Sequence, residues 1–146
     1  MKGLVFFLII GAALAQTAPQ EDLARVEAEP NPERRAHAAL DNATEALKAA
    51  RDAYAKGDDA DATARLDELE RSVELADNAL KQTGKNPSRS PKHFKLAELR
   101  TRELLRKLES FRDQMSVADR AGAERVMETV QKIHDAWLDG IMGKKK

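Results

Sequence analysis

The chain has 146 residues, with 25 basic and 25 acidic side chains, no cysteine and few aromatics. That is the size of one ordinary domain, and the mixture is the one helical bundles and coiled coils use. The absence of cysteine excludes thiol catalysis, cysteine–zinc sites, iron–sulfur clusters and c-type haem attachment, and the even overall charge balance points to no nucleic-acid or membrane partner.

Met1-Lys2, the apolar run Leu4 to Leu14 and the small-residue site Ala13-Leu14-Ala15 read as a cleavable signal peptide over residues 1–15. The cation holds the N-terminus in the cytosol, the apolar run enters the translocon, and the small side chains fit the peptidase. The run is shorter than the ~20 residues a membrane-spanning helix needs. A retained anchor is the weaker alternative, and no membrane span is expected after cleavage. Cleavage removes Lys2 from the 25 basic residues, so 24 remain against 25 acids. Residues 16–31 carry two prolines and little apolar surface, which predicts a flexible leader.

Four amphipathic helices are expected next, over residues 32–56, 58–83, 91–115 and 117–142, with a basic tail at 143–146. Asn31-Pro32-Glu33 supplies a cap, a preset first residue and an acid for the helix dipole. Ala36, Leu40, Ala43, Leu47, Ala50 and Tyr54 follow at heptad spacing. This seam is rich in alanine and buries little area, so the first helix is expected to be the most loosely held. Gly57 can close it in the left-handed conformation, and Asp58 can cap the second helix, whose seam runs from Ala62 to Leu80. Ser90-Pro91 opens the third helix, with Phe94, Leu104, Leu108 and Phe111 on its seam and Thr101 as the one polar seam residue. Ser116 to Asp119 resembles a capping box and launches the fourth, with Val126, Val130 and Trp137 facing inward. Short connections favour antiparallel neighbours, so the fold class is all-α, an antiparallel up-down-up-down four-helix bundle. The same pattern admits a three-helix bundle with the first helix undocked, or a coiled-coil hairpin that dimerises.

Charge is unevenly distributed. Eight acids face two bases between Asp58 and Leu80, and nine bases face two acids between Lys81 and Lys107. The structural expectation is an acidic second helix lying beside a basic third one and selecting its register. The functional expectation is a docking face built on Arg100, Arg102 and Arg106 for an acidic protein or an anionic envelope component such as a cell-envelope polymer or a membrane surface.

Little catalytic chemistry is encoded. No Gly-rich phosphate loop, His-Glu-x-x-His or calcium loop occurs, and no Glu-x-x-His pair of the di-iron bundles. His37 and His134 fall at similar heights in an antiparallel bundle and form the one candidate metal or haem pair; His93 reads as an exposed helix-start residue. In size and topology the chain resembles the soluble periplasmic cytochrome bundles, but no Met stands between Ala36 and Lys56 to supply their second haem ligand. Ala53-Tyr54-Ala55-Lys56-Gly57-Asp58 resembles one tetratricopeptide-repeat junction, without a second copy. The expectation is thus a non-enzymatic protein without cofactor, an interaction or structural module of the bacterial cell envelope, periplasmic or extracellular. The alternatives are a periplasmic haem- or metal-binding bundle and a tetratricopeptide-like peptide-binding module.

Overall fold

Local capping chemistry sets most of the helix boundaries. Asn31 accepts a 2.9 Å bond from the Arg34 amide, and Asp58 accepts one of 3.1 Å from Asp61. Gly57 adopts φ +77° and ends the helix between them. The computed structural model describes residues 19–144, so the signal peptide expected over residues 1–15 lies outside the described residues. Every regular element among them is helical: α1 (Pro19–Glu27), α2 (Pro32–Ala55), α3 (Asp59–Gln82), α4 (Lys92–Gln114) and α5 (Arg120–Ile141), with a 3-10 turn at Val117–Asp119.

Two of the expected caps take another form. Pro91 precedes α4 without a side-chain cap bond, so Ser90 does not fill that role. At Ser116 the chain makes the 3-10 turn before α5, and Tyr54 from the end of α2 closes it. The Tyr54 hydroxyl accepts from the Ser116 amide at 2.9 Å and donates to Asp119 Oδ2 at 3.0 Å. Ser116 Oγ donates to the same oxygen at 2.6 Å. These bonds, that of Ser116 foremost, hold the Asp119 carboxyl below its usual range.

The flexible leader expected over residues 16–31 is corrected where it is described. Pro19–Glu27 is helical and packs on both α2 and α3. Leu23 is only 7% exposed, and Val26 lies against the core. These two apolar residues, one turn apart, provide the anchor that composition alone concealed.

Nor is α2 the loosely held helix expected from its alanine-rich seam: it shares with α3 the most extensive interface among the described residues. Ala36, Ala39, Ala43, Ala46 and Ala50 are all buried on α2, and Ala76 and Ala79 on α3. Interaxial distance follows the side chains at the contact, so alanine permits close backbone approach. Dispersion gained over that length compensates for the small area each methyl removes from water.

The acidic and basic helices do not lie side by side as their charges led one to expect. α3 packs on α2 and α5, and α4 packs on α5 and α2; the acidic α3 and basic α4 share no extended face. The connection 83–91 allows this, since nine residues can span about 30 Å. It passes over the end of α5, where Gly140 leaves room for Pro87: a Cβ at Gly140 would meet the Pro87 ring at 3.1 Å. Acids of α3 find cations on α5 instead. Arg125 reaches Asp67 at 2.7 Å and also pairs with Glu70, and Trp137 Nε1 donates to Asp77 at 3.0 Å.

Ala43→Leu places a branched side chain at a fully buried position of α2 and is expected to lower stability by about 1–3 kcal/mol in thermal or urea unfolding. An unchanged midpoint would contradict tight packing around the alanine-rich face of α2.

Candidate functional site

Three polar constellations bind the helices to one another, and α4 contributes to two of them. The first joins α2 to α4. Glu33 and His37 are one turn apart on α2 and share a face, and His93 is the second residue of α4. His93 Nε2 lies 3.1 Å from Glu33 Oε2, so that nitrogen carries the proton it donates to the carboxylate. A neutral ring then has Nδ1 free to accept, and His37 Nε2 donates to it at 2.7 Å. His37 Nδ1 is left with its lone pair, buried and without a hydrogen-bond partner.

Charged neighbours frame this relay. Lys85 from the linker pairs with Glu33, and its bond foremost holds the Glu33 carboxyl below the usual range. Arg100 pairs with Asp41 at 2.5 Å and donates to the His37 carbonyl at 3.3 Å. Burial, and then the nearby His93 and Arg100, push the His37 ring below its ordinary value of 6.5.

The second constellation is buried between α4 and α5. Glu98 is 5% exposed and His134 8%. Glu98 Oε1 accepts from Arg102 Nε at 3.0 Å and from His134 Nε2 at 2.9 Å. Burial works against ionising Glu98, but the bonds from Arg102 and His134 outweigh it and hold the carboxyl below its usual range. The other ring nitrogen of His134 faces Asp135 at 3.1 Å.

Between α2 and α3 lies the third. Glu68, 2% exposed, accepts from Asn42 and Arg65, each at 3.1 Å. Asn42 also donates to Ser72 Oγ at 2.9 Å. Buried charge survives in such a position only when paired and hydrogen-bonded, and Glu68 is both.

The sequence-predicted candidates are distributed among these groups. His37 and His134 are not brought together as a metal pair: they sit on α2 and α5, which share no extended face, and each bonds α4 instead. Among the described residues no group of three His, Asp or Glu side chains is placed to hold a metal ion. His93 is a half-buried partner of Glu33 and His37, not an exposed helix start. Of the three arginines, Arg100 is tied to Asp41 and Arg102 to Glu98, while Arg106 is exposed and joins no ion pair among the described residues. Thr101 bonds back to the Ala97 and Glu98 carbonyls of its own helix, both at 3.0 Å. The junction at Gly57 is one turn between α2 and α3.

Sequence reasoning missed the buried acids Glu68 and Glu98, because off-seam carboxylates usually remain in water. It also missed Leu96 and Leu99, which stand 44% and 54% exposed on the outer face of α4. Their signal was their offset from the Phe94–Ala97–Thr101 seam. A groove of about 520 Å³ between α3 and α5 is lined by Glu74, Asp77, Lys81 and Thr129, and its Asp77 is held by Trp137 and Lys81.

No protein-family model, curated protein or solved structure matches the chain.

The depressed His37 means that the unfolded chain takes up a proton the folded one resists. Stability is therefore full above 6.5 and falls as pH drops from there toward the lower folded value. Urea midpoints measured across this window should decline with acid, and the decline should shrink in His37→Gln. An identical slope in that variant would remove His37 from the account.

Proposed function

We propose that the chain is an exported, non-enzymatic interaction module of the cell envelope, whose docking surface is the outer face of α4. The long helices act as the frame, an up-down-up-down bundle of two antiparallel hairpins. Several contacts support this reading. Arg35 bonds Gln82 and Asn42 bonds Ser72, so numbers fall on α3 as they rise on α2. Glu98 bonds His134 across the second hairpin. His37 bonds His93 and Asp41 pairs with Arg100, rising together, which makes α2 and α4 parallel neighbours.

The observation that carries the proposal is on α4. Leu96 and Leu99 are exposed, and Lys92, Lys95 and Arg106 beside them are exposed and join no ion pair among the described residues. At 100° per residue these five fall within an arc of about 100°. A folding role would have left these cations paired and the leucines covered. The paired Arg100 and Arg102 belong to the frame, so the docking set shifts along the helix from the three arginines to Lys92, Lys95 and Arg106.

Export is supported by the basic, apolar and small-residue order of Met1 to Ala15. The N-terminus of chain recovered from an envelope fraction is expected to begin at or near Gln16.

A photo-crosslinking residue at Leu99 is expected to capture an envelope component in a salt-sensitive manner, whereas one at the exposed Asn78 of α3 is expected to capture none. Lys92→Glu/Lys95→Glu/Arg106→Glu should abolish capture without moving the thermal midpoint. Equal capture from positions 99 and 78 would sink the docking-face assignment.

A further inference from the structure

We infer that the partner of this face is the surface of an anionic phospholipid bilayer. This rests on the docking-face reading above and assigns the chemistry of the occupant. The face belongs to a single convex helix, with its apolar content confined to Leu96 and Leu99. A protein partner of lasting affinity needs a broad patch that can be fully desolvated, whereas a bilayer interface accepts isolated aliphatic side chains between cations.

The same end of the molecule continues the pattern. Pro87 and Ser88 of the linker lie against Gly140 and Gly143, so the end of α5 adjoins the residues leading into α4. Met142 is 59% exposed there, and Arg89 is exposed. Lys144 lies 3.8 Å from Asp139, and Lys145 and Lys146 follow it in the sequence.

The acids of this region are already engaged. Glu33 is paired with Lys85 and His93, Asp77 with Lys81, Glu103 with Lys107 at 3.0 Å and Glu98 with Arg102. Lys92, Lys95, Arg106 and Arg89 remain to meet phosphate groups. Lysine and arginine stems can lie along apolar surface while their heads stay at the phosphate level, the placement Leu96 and Leu99 require if they are to enter the acyl boundary. Cations near an anionic surface act within a Debye length, so the contact must weaken as salt rises.

The test is co-sedimentation of protein recovered from the envelope fraction with vesicles of phosphatidylcholine alone and of phosphatidylcholine with phosphatidylglycerol. Binding to the anionic vesicles is expected to be at least about tenfold stronger, and Lys92→Glu/Lys95→Glu/Arg106→Glu is expected to remove that advantage. Leu96→Ser/Leu99→Ser should weaken binding further at high salt, where the apolar contribution dominates. Equal binding to both vesicles overturns the inference, since an apolar N-terminal segment would insert without regard to headgroup charge. An unaffected triple variant overturns it as well. If vesicles fail while the Leu99 cross-link captures a protein, the lipid assignment falls and the docking face stands; if the Leu99 cross-link also fails, both fall.

Discussion

Alanine methyls at Ala36, Ala39, Ala43, Ala46 and Ala50 let α2 approach α3 along its length, and that closeness makes the pair the most extensively packed among the described helices. The other helices accommodate to it. α1 lies on α2 and α3, and α4 and α5 complete the core with larger side chains such as Phe94, Leu108, Phe111 and Trp137. Without disulfides or a metal site among the described residues, such packing has to supply the stability.

Packing of α4 and α5 on α2 and α3 brings helices with complementary side chains together on two sides. On one, Glu33, His93, His37, Asp41 and Arg100 join α2 to α4. On the other, Arg125, Asp67, Glu70, Trp137 and Asp77 join α3 to α5. Exposed pairs such as Arg125–Asp67 contribute only about 0.2–1 kcal/mol each, so their value is in register rather than in bulk stability. Glu98 with His134 and Glu68 with Asn42 do the same from buried positions, where a mispaired register would strand a charge.

The helices themselves were legible in the sequence. Asn31, Asp58 and Gly57 mark their ends through local bonding, and the seam through Leu66, Leu69, Val73 and Leu80 is buried as its spacing requires. What local pattern could not show was the neighbourhood of each helix. The acidic run after Asp58 and the basic run after Lys81 are adjacent in sequence, yet the nine-residue connection carries α4 away from α3. Partnership in charge therefore follows from packing that only the tertiary arrangement reveals. The candidate site shifted for the same reason: Arg100 and Arg102 were visible as cations, while their engagement with Asp41 and Glu98 was not. Leu96 and Leu99, unremarkable in composition, acquire meaning because they remain outside the core beside exposed cations that join no ion pair among the described residues.

All of these contacts depend on the order in which the helices surround the core. The natural absence of cysteine makes paired replacements unambiguous. Cross-linking of Asp41→Cys/Arg100→Cys and of Glu70→Cys/Arg125→Cys with a short bismaleimide, whose reach matches the side-chain contacts between those positions, should proceed readily within one folded chain, while Glu74→Cys/Leu99→Cys, joining α3 to α4, should not. Efficient closure of the α3–α4 pair with failure of the other two would contradict the arrangement.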